Sequence, residues 1–93
     1  MTEFEIGDTI KIQAITKDYT GTTVDVDIIT IEIYNENDEL ILNATDMTKS
    51  ATGTYYYEWD STGNSEGYYY YYIKGTDGTA KFKSKGTFIL TDG

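Results

Sequence analysis

Apolar residues recur along this chain at every second position rather than every third or fourth. Ile10, Ile12 and Ala14 alternate with Lys11 and Gln13, and Ile29, Ile31 and Ile33 alternate with Thr30, Glu32 and Tyr34. Successive side chains of a strand point to opposite faces, so this spacing predicts half-buried strands over about 9–17 and 29–35. Val24, Val26 and Ile28 keep the spacing with opposite parity, which predicts a bulge or a short separate strand at the phase slip between Ile28 and Ile29. Asn35-Glu36-Asn37-Asp38 is turn chemistry, because Asn and Asp tolerate left-handed backbone and hydrogen-bond locally, and it leads into apolar Leu40, Ile41 and Leu42. After Gly53, Tyr55, Tyr57 and Trp59 share one face and Thr54, Tyr56 and Glu58 the other, and Asp60–Gly67 reads as a polar loop.

The run Tyr68–Lys74, the segment Gly75-Thr76-Asp77-Gly78 and a strand from Thr79 form a predicted hairpin. Closing a four-residue loop over 75–78 sets Ile73, Tyr71 and Tyr69 opposite Ala80, Phe82 and Ser84. On the other face Tyr72, Tyr70 and Tyr68 then meet Lys81, Lys83 and Lys85, a cation–π and amphipathic pairing. Gly86 is expected to mark a bend, with Phe88 and Leu90 beyond it supplying core contacts beside the first strand. No segment has a helical period. The pattern predicts an all-β sandwich of about seven short strands, with Trp59 in the inter-sheet core.

Length narrows this to a single domain over residues 1–93, since a chain this short organises one hydrophobic core. With no Cys and no His there is no disulfide, no thiolate or imidazole zinc site and no histidine general base, so the core must come from packing alone. A net charge of −9, with every basic residue a lysine, would repel a polyanion and argues against nucleic acid as a partner. No stretch approaches the roughly 18 consecutive apolar residues that span a membrane, and Met1-Thr2-Glu3-Phe4-Glu5 lacks the basic and apolar regions of a signal peptide.

Several segments together resemble the prokaryotic and viral immunoglobulin-like domains: Gly7-Asp8-Thr9-Ile10, Val24-Asp25-Val26-Asp27 running into Thr30–Tyr34, Met47-Thr48-Lys49, Gly53–Tyr57, Gly67-Tyr68-Tyr69 and Gly86-Thr87-Phe88. The resemblance spans nearly the whole chain and implies an antiparallel immunoglobulin-like sandwich that scaffolds, spaces or adheres within a cell-surface or virion assembly. It carries no catalytic residues. It places Tyr69, two residues after Gly67, like the tyrosine that caps such a sandwich at a corner. The Cys pair of antibody domains is absent. Met just ahead of the first strand and the lack of a leader favour the virion setting, with protein neighbours as partners.

The composition offers little chemistry. Ser50, Ser61, Ser65 and Ser84 have no His to activate them, and Ser84 should point away from its neighbours Lys83 and Lys85. Asp25 and Asp27 share a face if extended, the arrangement a glycoside-hydrolysing pair would need, but acidic domains place carboxylates so in any case. No cofactor is expected. Calcium is the cation its loops would suit best, through Asn35–Glu39 or a gathering of Asp25, Asp27, Asp60 and Asp77, although no loop matches the calcium-loop pattern. The informative feature is tyrosine: Tyr56, Tyr68, Tyr70 and Tyr72 all fall on predicted outer faces, as in paratopes and sugar platforms. Cross-strand stabilisation by the lysines accounts for the same residues. The expected function is a non-catalytic structural or interaction module, the alternative being a carbohydrate-binding module that uses the tyrosine row.

Overall fold

The described residues form eight strands: β1 (Thr2–Glu5), β2 (Thr9–Ile15), β3 (Ile28–Asn35), β4 (Leu40–Asp46), β5 (Thr48–Ala51), β6 (Thr54–Asp60), β7 (Gly67–Asp77) and β8 (Ala80–Thr91). The structure is a computed structural model and describes residues 2–92. The strands form two sheets, ordered β1-β8-β7-β3-β4 and β2-β6-β5. No helix occurs among the described residues.

The inward phase of each strand makes the core. Ile10, Ile12, Tyr55 and Trp59 from the smaller sheet face Ile29, Ile31, Ile33, Tyr69, Ile73, Phe88 and Leu90 from the larger one. At its centre the Trp59 ring lies 5.9 Å from Tyr69 and 5.8 Å from Phe88, and Tyr69 stacks on Phe88 at 5.5 Å. Each large apolar side chain removed from water contributes about 1.5–3 kcal/mol, so this cluster carries the stability that disulfides supply in other small domains.

Four departures from the sequence pattern have identifiable causes. The larger sheet is mixed rather than purely antiparallel, because β1 runs parallel to the end of β8, Thr2 opposite Phe88 through Glu5 opposite Thr91. Phe4 is the only large apolar residue in that strand and packs edge-on against Phe88 at 6.1 Å, too little for a periodicity to reveal. Phe88 and Leu90 therefore lie beside β1, not beside the strand at 9–15.

The β7–β8 hairpin is shifted by four residues from the predicted register: Tyr72 faces Lys85, Ile73 faces Ser84 and Asp77 faces Ala80. Its turn is Gly78-Thr79, with Gly78 at φ 64° and its amide donating to Asp27 Oδ2 at 2.8 Å. Gly75 and Gly86 stay inside the strands because each faces an aromatic ring. Phe82 lies across Gly75 and Tyr71 across Gly86, filling the places of the missing side chains. An even shift preserves facing, so the predicted inner and outer sets survive.

Val24–Asp27 forms neither a bulge nor a strand but a crossing between sheets. Thr16 Oγ1 donates to Val24 O at 2.5 Å, Val26 N donates to Tyr55 Oη at 3.1 Å, and Gly53 N donates to Asp25 Oδ1 at 2.8 Å. Finally, Thr48–Ala51 is a strand with all four residues exposed, a short edge that hydrophobic patterning does not register.

Candidate functional site

β7 is the site's foundation. Its inward residues Tyr69, Tyr71 and Ile73 bind it to the core, so Tyr68, Tyr70 and Tyr72 must project from the outer face of the larger sheet. Tyr34 joins them from β3, directly opposite Tyr70, and the two rings stack at 5.2 Å within 10° of parallel. Tyr72 stands edge-on to both Tyr34 and Tyr70, at 6.0 and 5.6 Å, and Tyr68 tilts against Tyr70 at 6.4 Å. These edge-to-face and stacked geometries are the favourable ones for aromatic rings. The predicted outer set thus divides: three of the tyrosines come together, while Tyr56 lies on the outer face of the other sheet with Lys11 Nζ 4.8 Å above its ring.

Lysines flank the cluster diagonally. Lys83 Nζ sits 4.1 Å over Tyr72, and Lys85 Nζ lies 4.8 Å from the Tyr70 ring and 5.8 Å from Tyr72. Two carboxylates complete the frame. Tyr70 Oη donates to Asp38 Oδ1 at 2.6 Å, and Tyr34 Oη donates to Glu32 Oε2 at 3.2 Å. Lys74 Nζ forms an ion pair with Glu32 Oε1 at 2.8 Å.

Charge placement follows. The Asp38 carboxylate accepting its proton pushes the Tyr70 hydroxyl up to about 12, with partial burial adding to the shift. Tyr34 is raised by partial burial and then by Glu32. Glu32 is held below the usual carboxylate range, first by Lys74. At neutral pH Tyr34 and Tyr70 are therefore neutral phenols, each hydrogen-bonded to a carboxylate at the margin of the face.

Sequence reasoning missed Tyr34, Asp38 and Leu40. Tyr34 has the outward phase of its strand, but only the pairing of β3 with β7 brings it to Tyr70. Leu40, half exposed, is opposite Tyr34 and extends the face toward β4.

Three of the four candidate aspartates are occupied elsewhere. Asp25 accepts from Gly53 N and pairs with Lys49 at 2.6 Å, Asp27 accepts from Gly78 N, and Asp60 accepts from Thr62 N at 2.9 Å. Asn35 Oδ1 receives the amides of Asn37 and Glu39, which closes the β3–β4 turn on itself. Among the described residues no three His, Cys, Asp or Glu side chains gather as a metal would require. Ser84 lies on the inward phase of β8, opposite Ile73, while its lysine neighbours lie on the outward phase. Compared with models of known protein families, with curated proteins and with solved structures, the chain shows no significant match.

Proposed function

We propose that this chain is a non-catalytic structural or interaction module of immunoglobulin-like type, set in a virion or cell-surface assembly, whose tyrosine face meets a protein neighbour. The observation that carries this reading is the cluster of Tyr34, Tyr68, Tyr70 and Tyr72 on one sheet, held by stacking, lysines and two carboxylates. Pre-set aromatic groups with polar tips lose little entropy on binding and are enriched at protein interfaces.

The strand order supports the immunoglobulin-like assignment. If β2, β5 and β6 are strands B, D and E, and β3, β4, β7 and β8 are C, C′, F and G, the two sheets group as in a variable-type sandwich. Tyr69 Oη donates to Ser65 O at 2.6 Å across the β6–β7 corner, the bond of a tyrosine corner. Trp59 departs from the pattern, since it sits on the strand matching E rather than C. The absence of His and Cys and the engagement of Asp25 and Asp27 in holding loops support the non-catalytic part.

The carbohydrate reading has less support, because a sugar needs an open ring face. Tyr70 is stacked by Tyr34 and approached by Lys85, and Tyr72 is covered by Lys83. Sedimentation velocity of the parent against Tyr68/Tyr70/Tyr72→Ser tests the protein-contact reading as self-assembly, and a glycan array with Tyr70→Ala as its control tests the alternative.

A further inference from the structure

β8 is twelve residues long, yet β1 covers only Phe88–Thr91 of its outer edge. From Ala80 to Thr87 no described strand pairs with that edge. The residues flanking a two-residue hairpin loop form a hydrogen-bonded pair, so bonding to β7 alternates from Asp77–Ala80, and the backbone groups of Lys81, Lys83 and Lys85 face outward. The sandwich is also open beside this edge. A cleft of about 620 Å³ lies between the end of β2 and the start of β8, its apolar wall including Ala14, Ile15, Val26, Tyr71 and Phe82.

We propose that this edge accepts a strand from another polypeptide, an extended segment that alternates acidic and apolar residues. Side chains at one level of a sheet share a face, so an added strand would send one set beside Phe82 into the cleft and the other set beside Lys81, Lys83 and Lys85. The first set must be apolar and the second acidic. β1 displays the same pattern in miniature on the same edge: Phe4 packs inward on Phe88, while Glu3 and Glu5 hold the outward phase. The lysines also set the selectivity. Three ammonium groups on one edge repel a second copy's β8 edge and attract a carboxylate-bearing strand, within a chain whose net charge is −9. This edge borders the tyrosine face and shares Lys83 and Lys85 with it, but its exposed backbone groups and its cleft are separate from the aromatic rings.

The test uses the whole protein and a fluorescein-labelled peptide of alternating glutamate and valine, with a lysine-for-glutamate peptide as its control. Fluorescence anisotropy should show saturable binding of the glutamate peptide alone, weakened by salt. Lys83→Pro removes an outward-facing amide at an edge position where proline is tolerated, and should abolish binding with the circular dichroism spectrum unchanged. Lys81/Lys83/Lys85→Gln leaves the backbone intact and should weaken binding on the order of tenfold. Amide exchange at 81, 83 and 85 should slow when the glutamate peptide is added. Equal binding of the two peptides, binding that survives Lys83→Pro in a folded variant, or no saturable binding overturns the proposal. So does a parent dimer that Lys83→Pro dissociates, since a second copy would then fill the edge.

Discussion

Tyr70 on β7 donates its hydroxyl proton to Asp38 at the tip of the β3–β4 turn, 2.6 Å away, and so ties the tyrosine face to a residue held at φ 64°. A non-glycine residue in the left-handed region is uncommon, and here Asn35 locks the turn by accepting from Asn37 N and Glu39 N. The carboxylate keeps Tyr70 protonated up to about pH 12, against an unfolded tyrosine near 10. A raised folded value stabilises the fold below the unfolded value, and the contribution is lost as pH rises from about 10 through about 12. Asp38→Asn removes the charge and should bring one tyrosine back toward the ordinary range in an ultraviolet tyrosinate titration. An unchanged titration curve would mean that the pair does not form in solution.

Gly53 and Gly86 separate two kinds of glycine requirement. At Gly53, with φ 68°, an added Cβ would lie 2.9 Å from both Thr16 O and Val24 N, backbone atoms that cannot swing aside. At Gly86 the nearest atoms the added Cβ meets belong to the Tyr71 ring, a side chain that lines the neighbouring cleft and can shift into it. Gly53→Ala should therefore cost about 2–4 kcal/mol, from left-handed strain and overpacking together. Gly86→Ala should cost about 1–2 kcal/mol, and much less in a Tyr71→Ala background, where the ring is gone. Urea unfolding of the four variants measures both differences.

Those glycines also mark where sequence reading stops. Alternation correctly assigned the inward sets of β2, β3, β6 and β7, because burial of one face leaves a period of two in the sequence. It centred the final turn two residues too early, which shifts the pairing by four, because Gly75 reads locally as a loop residue and becomes a strand residue only when Phe82 covers it. β1 escaped for a different reason. A parallel edge strand with one aromatic anchor has almost no local signature. The site was legible in its β7 residues, whose outward phase is local, and illegible in Tyr34 and Asp38, which reach Tyr70 only through the pairing of β3 with β7 and the closure of its turn.

The corner bond between Tyr69 and Ser65 gives a stability prediction. Tyr69 is buried, its ring stacks on Phe88, and its hydroxyl reaches the Ser65 carbonyl at 2.6 Å. Tyr69→Phe keeps the stack and deletes the bond, leaving the carbonyl of Ser65 to water or to no partner. The expected loss is about 1–2 kcal/mol, read as a lower urea midpoint at unchanged slope. Tyr69→Ala should cost about 3–5 kcal/mol, because it also opens a cavity beside Trp59.

Acid should act on stability in two stages. The chain carries −9 at pH 7, and lowering pH toward its isoelectric point near 4.1 relieves self-repulsion. Glu32 and Asp25 are both depressed, first by their lysine partners Lys74 and Lys49, and Asp18 and Asp60 first by threonine hydroxyls. A depressed folded value means stability present above the unfolded value near 4 and lost as pH falls through the folded value. The melting temperature should therefore rise modestly from pH 7 to about 5 and fall below about pH 4. Glu32→Gln should flatten the acid limb. A melting temperature independent of pH across that range would remove the carboxylates from the account.

The tyrosine face has a predictable strength as well as a predictable location. Tyr34, Tyr68, Tyr70 and Tyr72 are each partly covered by one another or by lysines and are half-buried, so each leaves only a minority of the roughly 200 Å² such a ring can bury. Four such rings fall well short of the roughly 800 Å² per partner of a stable interface. Half-exposed Leu40 and Ile28 on the same face, with the lysine stems, must supply the remainder. Self-association through this face alone should therefore be weak, of micromolar order or looser, and should appear in sedimentation velocity only as concentration rises. Tyr68/Tyr70/Tyr72→Ser should abolish it and Leu40→Ser reduce it, whereas Tyr56→Ser, on the opposite sheet, should leave it unchanged. If Tyr56→Ser acts like the triple variant, the contact lies on the smaller sheet and the assignment of the face is wrong. If parent and triple variant both remain monomeric, the face does not join copies of this chain, and its partner must be a different protein.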